Sequence, residues 1–277
     1  MISALLLRVL SLGAGVQSTT LALMAAHGEI GPMPDCAIFA DTQSEPRAVY
    51  EHLRWLMSPG VLPFPVHVVT TGSLRNQIYA GMLAPRKNGT PRINGHPPFF
   101  TPPGAMIHRQ CTQDFKITPL RREIKRLAGL SPRARGPKTP IVEQWFGISR
   151  DEAQRMRTSD LKWIEFRYPL IEKSMNRQEC LRWLDAKGYA RPKKSACFFC
   201  PYHNDAEWDD LRKNDWVAWD EAVEMDKLIR PGDTARARGR PWFLHRSLRP
   251  LDEVPLTADD RGQPDLFGNE CEGMCGV

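Results

Sequence analysis

The sequence predicts an α/β protein: an open parallel sheet with helices on both faces, followed by a mostly helical, cysteine-containing C-terminal part. Three observations predict it. Apolar runs of strand length alternate with helical segments as far as Ile148, the first run ends in a glycine turn that opens a helix, and short Trp-rich helical patterns replace the strands after about Tyr168.

Leu5 to Leu12 is the first strand, Gly13 and Gly15 form the turn, and Thr19 to Ala26 has helical composition. Cys36 to Ala40 is a second strand ending in Asp41 and Thr42, Arg47 to Leu56 reads as a helix, and Pro65 to Thr70 is a valine-rich third strand. Between Met82 and Pro103 the pattern fails among Pro, Gly and Asn residues, so 82–103 is an irregular excursion. Thr118 and Pro119 read as cap and first position of a helix whose buried stripe is Leu120, Ile124 and Leu127. A Pro and basic linker, 131–140, leads to a strand from Ile141 to Ile148, and a helix starts at Ser149 with Glu152 completing a capping box. The later helices are Arg177 to Lys187 and Glu207 to Leu228. The division expected is 1–167 for the α/β part and 168–277 for the helical part.

The chain has 277 residues, 42% of them hydrophobic and 25% charged, which excludes fibrous and wholly disordered classes. The apolar opening carries Arg8 and is too short to span a bilayer, so a soluble, cytoplasmic protein with no membrane partner is expected. Lys and Arg number 38 against 32 Asp and Glu, and the excess gathers between Arg109 and Arg126 and at Arg133, Arg135 and Lys138. That bias favours an anionic partner, a nucleotide or nucleic acid, with a solvated helix face as the bland alternative.

The glycine turn reads Ser11-Leu12-Gly13-Ala14-Gly15-Val16-Gln17-Ser18-Thr19. Between a strand and a helix such a turn offers backbone N–H groups, the positive end of the helix dipole and hydroxyls to a phosphate. It lacks the Walker lysine, and Ser18 stands where the dinucleotide fingerprint has its third glycine. With this turn the chain resembles the PP-loop ATP pyrophosphatase superfamily, in its phosphoadenosine phosphosulfate reductase-like branch, whose sheet is of the HUP-like kind. The resemblance assigns Ser11, Gly13, Gly15, Ser18 and Thr19 to the pyrophosphate of ATP with Mg2+; the family's motif is two residues shorter and acidic where Gln17 stands, and Gln17 is a cofactor-binding candidate by its place in the turn. Phe39-Ala40-Asp41-Thr42-Gln43-Ser44-Glu45 is similar to the family's second-strand turn, where Asp41 and Thr42 would meet the ribose or a metal. Gly147-Ile148-Ser149-Arg150-Asp151-Glu152-Ala153-Gln154-Arg155 is similar to its Gly-Ile segment beside the substrate, which adds Gly147, Glu152 and Arg155. Ser18, Asp41 and Arg155 are the residues the resemblance marks as catalytic.

Seven cysteines without an export signal point to thiol, metal or cluster chemistry rather than a disulfide framework. Cys36 and Cys180 sit in apolar surroundings and read as core thiols. Cys111, the Cys197-Phe198-Phe199-Cys200-Pro201 turn, Cys271 and Cys275 are the candidate metal ligands, ranked for an iron–sulfur cluster above Zn2+ and above a redox disulfide. The expected function is an ATP-dependent adenylating enzyme that releases AMP and pyrophosphate and activates a nucleotide, nucleobase or nucleic-acid oxygen for a sulfur donor. The alternatives are a sulfonucleotide reductase, with Glu270-Cys271 as a partial signature, and a non-catalytic zinc-containing nucleic-acid-binding protein. The homodimeric state stays open.

Overall fold

A computed structural model describes residues 6–84, 95–231 and 240–256. Its centre is a five-stranded parallel sheet built from β1 (Leu7–Ser11), β2 (Cys36–Ala40), β3 (Val66–Val69), β6 (Val142–Phe146) and β7 (Ile164–Arg167), in the order β3-β2-β1-β6-β7. The register pairs Ser11 with Ile38 on one side and with Phe146 on the other. The chain therefore moves outward from β1 through β2 and β3, then returns to lay β6 along the free side of β1. That reversal creates a switch point between the carboxyl ends of β1 and β6, where open α/β sheets take their ligands.

Alternation along the strands sends side chains to two cores. Leu10, Ala37, Phe39 and Trp145 pack with α1 (Val16–Ala26), α2 (Arg47–Leu56) and α6 (Arg177–Ala186), while Val9, Cys36, Ile38 and Val142 pack under Leu120 and Ile124 of α4 (Thr118–Leu127). Helices cover both faces, as the alternation of elements predicts. Cys36 and Cys180 are buried thiols, pushed by burial up to about 11 and about 12. A third core joins α3 (Leu74–Leu83), Phe99 and Phe115 to α7 (Asp205–Asn214), α8 (Trp216–Ile229) and the Cys197–Cys200 turn. Asp226, fully buried on α8, accepts from the Leu244 and Leu251 N–H groups and from Arg230, tying the last described segment to that helix.

Several local expectations are corrected. β7 and α3 are absent from the sequence reading, and part of the 82–103 excursion is regular: α3 runs to Leu83, and β4 (Phe100–Thr101) pairs with β5 (Ala105–Met106). Thr118 is no cap, because a π-helical turn, Thr112–Ile117, runs directly into α4 and the Thr118 hydroxyl donates back to the Gln113 carbonyl. The helix expected over 207–228 divides at Asp215, whose carboxylate caps α8. The Ser149–Glu152 capping box does not form: Arg150–Arg155 is a 3-10 segment, the Ser149 hydroxyl donates to Asp151 at 2.5 Å, and Glu152 is committed elsewhere. The remaining short helix, α5 (Pro169–Glu172), precedes α6, which begins with a full capping box between Asn176 and Glu179.

Candidate functional site

The glycine turn sits at the carboxyl end of β1 and opens α1 with Gly15 as N-cap, no side-chain cap and no acidic residue in the first turn. The first backbone bond of the helix runs from Thr19 N–H to the Gly15 carbonyl at 3.0 Å. The N–H groups ahead of it have no intrahelical acceptor, which is the arrangement that receives an anion. Ser18 shapes the turn from within, accepting from Gly13 N–H at 3.1 Å and donating to the Gly15 carbonyl at 3.4 Å. The left-handed residue is Ala14 (φ 57°), between the two glycines rather than on either.

Gly147, at the end of β6, explains itself by distance. A Cβ there would lie 2.8 Å from both the Cα and the N of Ser18, so only glycine lets β6 approach the first turn of α1. Just beyond it, Gln17 reaches across: its Nε2 donates to Glu152 at 3.3 Å and to Ser149 at 3.5 Å, while its buried Oε1 has no partner among the described residues. Glu152 is also ion-paired with Arg155. The carboxylate absent from the turn thus arrives from 135 residues away, held at the same helix terminus. Ser11 accepts from Gln144 at 2.9 Å, a second link between β1 and β6.

The other assigned residues have mixed placements. Asp41 accepts from Gln43 N–H at 2.7 Å and from the Tyr50 hydroxyl at 2.8 Å, closing its own turn. Thr19 is buried with its hydroxyl 2.9 Å from His52 Nε2, on the α2 side of the helix rather than toward the switch point. Burial holds the His52 imidazole down at about 4, so that ring is neutral near pH 7. Thr42 lies 3.2 Å from Cys197 Sγ, and Phe198 N–H donates to the Ser44 carbonyl. The second-strand turn and the CxxC turn are therefore in direct contact.

Cys197 and Cys200 share one turn, closed by Cys200 N–H donating to the Cys197 carbonyl at 2.8 Å, and Cys111 packs against the same core. No disulfide joins the five described cysteines. Burial, then the nearby Glu45 carboxylate, pushes the Cys197 thiol well up. Among the described residues no group of three His, Cys, Asp or Glu side chains comes together as a metal cage, and Cys271 and Cys275 lie outside the described residues, as does Glu270. Beside Cys197 the structure adds a pair that sequence reasoning missed, Glu45 and Lys116, both buried, 3.7 Å apart, with Ser195 donating to Glu45. Glu45 ends the quoted turn and Lys116 belongs to the basic run, but nothing local marks either as buried.

A cavity of about 350 Å³ lies elsewhere, against β7, lined by Glu143, Glu165, Phe166, Arg167 and Glu172 among others. Arg167 there is bound to Glu172 and lies over the Trp145 ring, so its charge is already shared and the lining is acidic, which does not suit a phosphate. No described helix is long and apolar enough to cross a membrane. Comparison of the chain with family models, curated proteins and solved structures finds no match in any of the three.

Proposed function

We propose that the protein is an ATP-dependent adenylating enzyme of the PP-loop type that activates an oxygen of a nucleotide, nucleobase or nucleic acid for replacement by sulfur. The observation that carries this reading is the uncapped start of α1 at the switch point between β1 and β6, with the unpartnered Gln17 Oε1 buried beside it. The first-turn N–H groups bind the phosphates with Mg2+; no lysine stands in the turn to hold a transferring γ-phosphoryl group. The substrate oxygen attacks the α-phosphate, the α–β bridging bond breaks and pyrophosphate leaves. Arg155, oriented by Glu152, supplies positive charge for the phosphoryl oxygens, and Gln17 couples that pair to the turn. A sulfur nucleophile then displaces AMP.

The contact of Thr42 with Cys197 supports placing sulfur chemistry at the same end of the sheet. Cys111, Cys197 and Cys200 form no cage among the described residues, and an iron–sulfur cluster, or Zn2+ in its place, would need them drawn together with Cys271 or Cys275. Such a group would supply sulfide binding or electron transfer.

Calorimetry with MgATP, followed by product analysis in the presence of candidate acceptors, tests the reading. AMP and pyrophosphate are expected, and Ser18→Ala should weaken binding by about 1 to 2 kcal/mol. No ATP affinity in the wild-type protein, or release of ADP, refutes it; turnover of a sulfonucleotide without ATP would establish the reductase alternative. Iron and acid-labile sulfide measured after anaerobic purification decide between cluster and zinc.

A further inference from the structure

The formal net charge of the chain is +6, and the eighteen residues from Arg121 to Lys138 account for all of it. That stretch holds seven cations, Arg121, Arg122, Lys125, Arg126, Arg133, Arg135 and Lys138, against the single carboxylate Glu123; the rest of the chain holds 31 cations and 31 carboxylates. A solvated face ordinarily mixes signs. This one does not.

The fold arranges the stretch as a fixed track. α4 buries Leu120 and Ile124 against the sheet and turns its basic side outward. At its end Lys125 Nζ donates to the carbonyls of Pro132 (2.8 Å) and Ala134 (2.6 Å), and Gly136 packs directly on the Trp163 ring, with no room for a side chain. The loop is pinned at both places while Arg133, Arg135 and Lys138 stay exposed. Arg121 pairs with Asp160 and Arg126 with Glu123, but no carboxylate among the described residues pairs with Arg122, Arg133, Arg135 or Lys138.

The two ends of this track lie at opposite ends of the sheet. The π-helical turn before α4 lies near the site, where Lys116 meets Glu45, whereas residue 141, at the amino end of β6, bonds to Leu7 and Trp163 at the amino ends of β1 and β7. α4 alone spans about 15 Å at its helical rise. One nucleotide bound at the switch point cannot reach Arg133, Arg135 or Lys138. A polyanion can.

We propose that this track is a nucleic-acid-binding surface and that the substrate brought to the site is a nucleic acid rather than a free nucleotide. The first half stands on the charge and its placement; the second rests on the adenylation reading above. An anionic membrane fits less well, because the exposed large apolar side chains (Met33, Met57, Val68, Leu83, Met156, Trp216 and Val217) all lie outside 121–138, which leaves a membrane only the electrostatic part of its attraction.

Fluorescence anisotropy of the full chain with a labelled DNA duplex and with its single strands, titrated between about 50 and about 200 mM salt, tests the proposal. The comparison is wild type against Arg133→Gln/Arg135→Gln/Lys138→Gln and against the corresponding triple Glu variant. The wild type should bind with steep salt dependence, and the neutral variant should flatten the duplex slope of log K against log salt by about 2 to 3, near one for each phosphate that is no longer neutralised. Its thermal midpoint and its MgATP calorimetry should stay as in the wild type. Absence of salt-dependent binding in the wild type, or an unchanged slope in both variants, overturns the surface; so does binding to phosphatidylserine vesicles that the variants lose while DNA binding stays. DNA binding that persists in a protein without ATP affinity keeps the surface and removes the adenylation reading, and the converse removes only the surface.

Discussion

Gly147→Ala tests whether the end of β6 and the first turn of α1 are built as one unit. The added Cβ would meet Ser18 Cα and N at 2.8 Å and the Gln17 carbonyl carbon at 3.1 Å, all backbone atoms. An ordinary carbon contact is about 3.5 to 4.0 Å, so one side must yield by roughly an ångström. Neither side is loose: β6 is held in register with β1 through Phe146 and Ser11, and the turn is closed on itself by Ser18. Overpacking of this kind costs about 1 to 3 kcal/mol, partly offset by the alanine's smaller unfolded-state entropy. In a chain of this size that is a fall of about 2 to 10 °C in thermal midpoint. Displacement of two first-turn N–H groups should also weaken MgATP binding by about 10- to 100-fold, at the scale of hydrogen bonds to a charged group. Gly31→Ala is the control, because a Cβ at Gly31 meets nothing within 4 Å outside its two chain neighbours and its φ is not positive; with Pro32 next to it, the change should stay within about 1 kcal/mol. Differential scanning calorimetry and ATP titration of both variants read the difference. A Gly147→Ala protein that melts and binds like the wild type would refute the close-approach argument.

Two further outcomes concern stability. The His52 imidazole has a folded value of about 4 against 6.5 in the unfolded chain, because burial disfavours its charged form; the unfolded state therefore binds the proton first as pH falls. Its contribution, at most about 3 kcal/mol, is fully present above pH 6.5 and lost as pH drops toward 4, so wild type should lose more urea stability over that window than His52→Gln. Equal pH dependence of the two would contradict this. Asp226→Ala strips the acceptor from Leu244 N–H, Leu251 N–H and Arg230 inside the third core, and should cost about 3 to 5 kcal/mol in equilibrium unfolding. A loss under about 1 kcal/mol would mean that water or another group replaces the carboxylate.

The strands and helices that were legible are those whose pattern is local and strong. Leu7–Ser11, Cys36–Ala40 and Val142–Phe146 are short apolar runs bounded by turn residues, and α4 carries its stripe at helical spacing. β7 had a signal, the alternation of Ile164 and Phe166 with Glu165 and Arg167, and α3 had another, Ser73 capping a helix with Leu74 and Ile78 inward. Both are short patterns beside stronger competing ones. The capping box at Ser149 shows the opposite failure: the residue types were right, but Glu152 found better partners in Gln17 and Arg155 than in the backbone of its own turn.

Residue type and near neighbours were enough to define the glycine turn and its place between a strand and a helix, the inward character of Cys36 and Cys180, and the concentration of positive charge after Arg121. It took the folded chain to lay β6 beside β1, to press Gly147 against the backbone of Ser18, to bring Gln17 to Glu152 across 135 residues, and to join Thr42 to Cys197 across 155. The same folding buries Lys116 with Glu45 while leaving Arg133, Arg135 and Lys138 outside, although all five belong to polar types that sequence places at the surface. A distant contact is selected by the packing of whole elements against the entropy of the loops between them, and no window of neighbouring residues contains that balance.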